Sequence, residues 1–447
     1  MILKRQHGLF VSICFVVGFI VGTGIFFLPG RVLYEVGGST FYGTVAWIVG
    51  GLMISPIVLM FGILAAKYEK IHGFVDYSEA IVGKRYGYLA GWFFAVMYQP
   101  AGYAIIAWIT SGFTAALVGV SPDSNNYMAF RFFISAFFMV MTFMMNYFAP
   151  TVPVRFNVTT TIARLIPLVA MGTVGVVIGV FFADSGESTA VFEVTSGTSV
   201  FAAISATAFA FNGWQAALAF NSEIKDSKRK FPIALLSGFC VVAVVYVLYF
   251  VGIATALGED IGIIMAGGGA NFADGTRVAF ENVFGAWAAG LLVFFMIISG
   301  LGILNACCLG MGRAMYSLGR RKLGPLYKRT VLLDTDTNVP NNSMVMAVGI
   351  SFLWYAVIFA NTFVFQNFTF SLPDFYNFSF FALLIPIFVC YAIKSKESAF
   401  LSRFVLPSLA ISGAGFMFMS YWLGSLTHAV VYLCVFAVLG LVGMLLK

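Results

Sequence analysis

Apolar residues run along this chain in long blocks of about 20 positions, separated by short polar interruptions. A helix of that length crosses the hydrocarbon core of a bilayer, whereas an amphipathic helix of a water-soluble domain would break the block every turn. The blocks fall at 8–30, 40–66, 87–118, 127–149, 156–182, 198–221, 232–257, 281–312, 343–361, 371–393, 403–422 and 425–446. They predict an all-α integral membrane protein of about twelve spanning helices, forming one domain with no soluble appendage. The first block is too long for a cleaved signal peptide. Pro29 and Gly30 follow it without a small-x-small cleavage pattern, so it is expected to be retained.

Charge adds the orientation. All but Arg31, Arg131, Arg164 and Arg277 of the 25 basic residues lie at the termini or in alternate loops. They run from Lys4 and Arg5, through Lys67, Lys70, Lys84 and Arg85, to Arg155, and then Lys225, Lys228, Arg229 and Lys230. The series continues with the cluster from Arg313 to Arg329, then Lys394, Lys396 and Arg403, and ends at Lys447. The opposite loops carry Asp184, Glu187, Glu193, Glu259, Asp260 and Asp274. Basic loops stay cytoplasmic, so both termini are expected on the cytoplasmic side of the cell inner or plasma membrane. The net charge of +7 is then a consequence of topology and calls for no nucleic-acid partner.

Six cysteines all fall within the apolar blocks without a CxxC spacing, and His7, His72 and His428 are isolated from them in sequence. They read as packed thiols, and no metal or cofactor is expected.

Two blocks are polar where a lipid-facing helix should not be. The first contains Gly22-Thr23-Gly24-Ile25-Phe26, and the sixth contains Phe209-Ala210-Phe211-Asn212-Gly213-Trp214-Gln215. Glycines at mid-depth weaken a helix, and a helix broken there bares amide donors on one side and carbonyl acceptors on the other. An α-amino acid needs both. Its carboxylate would sit on the amides of Gly22, Thr23 and Gly24, and its ammonium would meet carbonyls near Ile20, Phe209, Ala210 and Asn212. Gly18-x-x-x-Gly22 is also a helix-packing pattern, which would account for one glycine pair. A second break five helices later is what an inverted repeat of five plus five helices requires, and it favours a binding site. The repeats would span roughly 8–182 and 198–393, with two extra helices at 403–446.

At these residues the chain resembles the amino acid-polyamine-organocation superfamily, most closely its L-type amino acid transporter branch and bacterial relatives, over nearly its whole length. Gly22 to Phe26 is similar to the family's Gly-Ser-Gly-Ile-Phe, with Thr23 keeping the hydroxyl. Phe209 to Trp214 resembles Phe-Ala-Tyr-Gly-Gly-Trp, with Asn212 where a glycine is usual. Glu223 and the run Lys225 to Pro232 resemble the loop that follows, with Ser227 replacing a proline. Gly73, Tyr77, Glu79, Pro100-Ala101-Gly102, Asn305 and Arg313 agree in order and spacing. The resemblance implies a leucine-transporter type fold with the first and sixth helices interrupted. It also implies that Phe209 is an aromatic lid and that Gly102 and Gln215 line the side-chain pocket.

Arg164 lies about a third of the way into the fifth block, where a charge must face the bundle interior or snorkel to the interface. By resemblance, a lysine often stands here, near the ion site of sodium-coupled relatives. An arginine would stay charged and replace the cation permanently. Asp374, Arg131 and Glu281 read as solvated helix ends.

The function expected is a sodium-independent transporter, an exchanger or a facilitated carrier working by alternating access, for neutral amino acids or close relatives. A cationic substrate would ask for acidic residues at the breaks, and none is evident. A proton-coupled symporter and a membrane amino acid receptor of the same fold are the alternatives. An intramembrane enzyme ranks last, because no nucleophile and base stand at matching depth. The partners implied are the amino acid and the lipid bilayer, and the sequence leaves open whether a protein subunit associates.

Overall fold

A computed structural model of the protein describes residues 8–68, 73–122, 124–149, 152–177, 199–218, 224–266, 272–334, 339–363, 370–395, 400–424 and 426–446. Lys4, Arg5, His7, Lys70, His72, Asp184, Glu187, Glu193, Glu223, Lys396 and Lys447 lie outside the described residues.

The apolar blocks are helical. We label them α1 (Leu9–Ile20), α2 (Gly24–Glu35), α3 (Thr40–Lys67), α4 (Phe74–Ile81), α5 (Lys84–Val118), α6 (Tyr127–Phe148) and α7 (Val152–Ala170). There follow α8 (Val200–Ala210), α9 (Trp214–Ala217), α10 (Ser227–Leu257), α11 (Phe272–Phe284) and α12 (Ala286–Arg320). The last four are α13 (Asn341–Phe363), α14 (Leu372–Lys394), α15 (Leu406–Gly424) and α16 (Leu426–Leu445). Among the described residues, nine helices are long and apolar enough to cross a membrane, and α1 with α2 forms a tenth span bent by 51°. The eighth block starts later than its composition suggests, because Gly285 at φ +88° ends α11 and lets α12 begin at Ala286.

Large apolar side chains such as Phe133, Leu353, Trp287 and Leu441 stand on the outer surface, as a lipid solvent permits. The interior is aromatic instead. Trp47 on α3 meets Phe211 and Tyr246 with ring centroids 5.7 Å away in each case. Helices close on one another where a side chain is missing. On α10, a Cβ at Gly252 would overlap the Met171 carbonyl oxygen of the π-turn Met171–Gly175 that follows α7.

On the side carrying the basic loops, Arg321 beyond α12 binds the carboxylates of Asp76 and Glu79 on α4, the latter at 3.2 Å. It also donates to the Ser317 hydroxyl at 2.5 Å. This explains Glu79, which the family resemblance had singled out. Arg131 differs from its expected role as a solvated end. Its guanidinium lies 3.9 Å over the Trp108 ring and donates to the Trp108 carbonyl at 2.9 Å.

Replacing Gly252 by valine should wedge α10 from the α7 turn and lower stability by about 1–3 kcal/mol. Gly349→Val, which meets no atom nearby, is the control. Thermal unfolding in detergent should show a large drop for the first and little for the second.

Candidate functional site

The first break is fastened from behind by one buried cation. Arg164 on α7 is 0% exposed, so its guanidinium is held inside the bundle rather than carried to the interface. Its Nη1 donates to the carbonyls of Gly18 at 2.9 Å and Val21 at 2.6 Å. Its Nε donates to Thr160 O at 3.1 Å, and Nη2 reaches the hydroxyls of Thr160 and Thr161 at 3.3 Å. A cation at the carbonyl end of a helix meets the negative end of the helix dipole, and the guanidinium fork serves several acceptors at once. Tyr246 adds a second fastening: its hydroxyl donates to Ile20 O at 3.1 Å.

What is left open at this break is a group of donors. The amides of Gly22, Thr23 and Gly24 find no backbone acceptor among the described residues. The Thr23 hydroxyl is buried and likewise unpartnered among them. These amides and the hydroxyl therefore converge at the positive end of α2. The carbonyl of Ile20 keeps one lone pair after serving Tyr246.

The second break is a turn of Phe211, Asn212 and Gly213 between α8 and α9. Gly213 has φ +109°, and a Cβ there would overlap the Phe19 carbonyl oxygen, so only glycine lets this turn lie against α1. The Gly213 amide donates to Gln215 Oε1 at 3.0 Å, and Gln215 Nε2 donates to the Tyr98 hydroxyl. The Asn212 side chain donates to Asn377 on α14. With these amides turned aside, the carbonyls that end α8 at Phe209 and Ala210 have no amide to receive.

Between the two breaks is a cavity of about 90 Å³. Ile20, Gly22, Thr23, Gly24, Gly102, Phe209, Ala210, Asn212 and Gln215 all line it. Arg164 does not line it and acts on it through the carbonyls of Gly18 and Val21. Sequence reasoning missed Tyr98, Ile303, Cys307 and Tyr376, which are among the other residues of the wall. Tyr98 is delivered by a π-turn, Phe94–Tyr98, and stacks on Tyr376 at 4.1 Å. The polar trace of Asn377 and Tyr376 inside an apolar block was legible; the π-turn was not. Phe209 leans on Phe27 at 6.3 Å and lies beside Gly24, where a Cβ would come 3.0 Å from its ring. Among the described residues no three His, Cys, Asp or Glu come together to hold a metal.

An all-helical membrane protein with a small cavity between two interrupted helices, bounded by free amides and free carbonyls, is the class that fold and site define. The chain belongs to the amino acid permease family, whose model matches residues 8–444. It is 26% identical over 416 residues to the serine/threonine exchanger SteT of Bacillus subtilis (strain 168), covering 93% of this chain and 90% of that protein. It is 24% identical over 325 residues to the b(0,+)-type amino acid transporter 1 of Mus musculus, covering 71% and 63%. It is 23% identical over 377 residues to the glutamate/serine transporter AimA of Bacillus subtilis (strain 168), covering 79% and 66%.

Arg164→Ala leaves several buried acceptors without a donor and should cost about 3–5 kcal/mol. Arg164→Lys keeps the charge but loses the fork, and should cost less. Unfolding midpoints of the two purified variants against the parent give the order directly.

Proposed function

We propose that this protein is a sodium-independent carrier of small neutral amino acids, an exchanger or facilitated carrier that works by alternating access. The observation that carries the reading is the pairing of opposite backbone polarities across one cavity. The amides of Thr23 and Gly24 with the Thr23 hydroxyl would take the carboxylate, and the carbonyls of Ile20, Phe209 and Ala210 with the Asn212 side chain would take the ammonium. Among the described residues no carboxylate lines the cavity, which disfavours a dibasic side chain.

Size narrows the class further. A cavity of about 150 Å³ is what benzene occupies in an engineered protein core, so a cavity of about 90 Å³ favours small side chains over aromatic ones. The name of the serine/threonine exchanger SteT supports the same preference. Ile303 would set the upper limit, since it lies against Gly22 across the cavity.

Sodium independence rests on Arg164. A fixed cation sits on the carbonyl end of α1, the place where a bound metal cation would otherwise be held. In this reading α1 with α2 and α8 with α9 are equivalent members of inverted repeats covering roughly 8–182 and 198–393, the helices within 403–446 standing outside them. The twelve spans would leave both termini cytoplasmic.

The test is uptake of labelled threonine into liposomes carrying the purified protein, with threonine or nothing inside, in sodium or choline buffer. Uptake equal in both buffers and stimulated by internal threonine is expected of an exchanger. A sodium requirement would overturn the role given to Arg164, a proton requirement would indicate the symporter, and binding without uptake would indicate the receptor. Ile303→Ala should enlarge the cavity and admit phenylalanine, which the parent should exclude, as measured by competition in the same assay.

A further inference from the structure

On the side carrying the basic loops, four cationic side chains stand where α14 ends and where α5 and α15 begin. The ammonium of Lys394, in the last turn of α14, donates to the carbonyls of Ile81 at 3.1 Å and Val82 at 3.3 Å, where α4 closes. Two residues beyond Val82, Lys84 and Arg85 open α5, and both are exposed. Arg403 belongs to the π-turn Leu401–Val405, which leads into α15 and packs against α14.

These cations lack counter-charges. Lys84, Arg85, Lys394 and Arg403 form no ion pair among the described residues. Glu79 packs against the start of α5, where a Cβ at Gly87 would lie 2.6 Å from its own Cβ, yet its carboxylate is turned to Arg321 at 3.2 Å. Asp76 is taken by the same arginine. No acidic residue in the first turn of α5 offsets the two charges there. The Arg403 guanidinium lies 4.8 Å over the Phe404 ring, and its Nε–H is buried without an acceptor among the described residues. By contrast, the basic run at the start of α10, Lys228 to Lys230, has the carboxylate of Asp226 at its N-cap.

The surface beside the uncompensated cations is apolar. Ile393 is 70% exposed, Phe400 71% and Leu401 70%. Acyl chains cover such side chains in a bilayer, and a phosphate at the head of those chains would meet the cations at the helix ends. A soluble anion would use the charges alone and leave the apolar residues bare.

We propose that this junction of α5, α14 and the π-turn before α15 binds an anionic phospholipid. Lys84, Arg85 and Lys394 hold its phosphate, Arg403 flanks it, and its acyl chains lie along Ile393, Phe400 and Leu401. The bound phosphate offsets the charge that Lys84 and Arg85 add to the positive end of α5 and ties that end to α14. The proposal needs only a chain that spans a membrane, and it stands apart from what the inner cavity carries.

The experiment is native mass spectrometry of the purified full chain in neutral detergent. It is titrated with phosphatidylglycerol, with phosphatidylcholine of the same acyl chains, or with glycerol 3-phosphate, which has the phosphate without the chains. The parent should bind phosphatidylglycerol at least about tenfold more tightly than either of the others. Arg85→Gln and Arg403→Gln should each weaken it about fivefold, the loss expected for one basic residue at a membrane surface, and Arg229→Gln at the start of α10 should leave it unchanged. Unfolding midpoints equal to the parent's in lipid-free detergent report that the variants fold. Equal binding of the two lipids, or an equal loss in Arg229→Gln, would overturn the site in favour of diffuse adsorption. Glycerol 3-phosphate binding as tightly as phosphatidylglycerol would overturn the lipid as its occupant.

Discussion

A helix cut in the middle of a bilayer must find partners for its bared carbonyls within the protein, and here one arginine supplies them. Arg164 takes the carbonyls of Gly18 and Val21 while Tyr246 takes that of Ile20. With α1 fixed at that angle, the start of α2 can hold the Thr23 and Gly24 amides open instead of closing them into a continuous ladder. The second break depends on the first, because the Gly213 turn lies directly against the Phe19 carbonyl. The site is therefore a set of polar groups left over after the architecture has satisfied its own.

The surroundings of the cavity are asymmetric. Towards α4, Trp214 lies 5.2 Å from Phe61, and Phe74 stacks on Phe94 at 4.5 Å, so a thick aromatic layer separates the cavity from the Asp76, Glu79 and Arg321 network. In the other direction the single ring of Phe209 intervenes before a larger, charged cavity. The structure is thus closed heavily on one side and lightly on the other. In the proposed cycle, opening the heavy side requires the ion pairs of Arg321 to part as well as the aromatic layer to shift.

The sequence disclosed the helices and the two breaks because a bilayer punishes polar backbone severely, so glycine, threonine and asparagine at mid-depth stand out against apolar neighbours. The seven residues placed at the two breaks share one cavity for that reason, together with Gly102 and Gln215, which the family resemblance supplied. Three things were not legible. The π-turn that aims Tyr98 carries no composition signature. The fastening of the Ile20 carbonyl by Tyr246 depends on a helix far away in sequence. Asp374 reads as an ordinary helix end until α2, α8 and α16 are placed around it, when it becomes a charge facing a shared cavity. Arg131 was misjudged as solvated because its covering ring, Trp108, belongs to a different helix.

The central claim is that the inner cavity reads both ends of an amino acid through helix termini. Competition against labelled threonine by analogues lacking either the carboxylate or the amine tests it most directly. The account predicts that each analogue competes at least about tenfold more weakly than threonine, the loss expected when a charge-assisted hydrogen bond is forfeited. An amine or an acid that competes as well as threonine would contradict it.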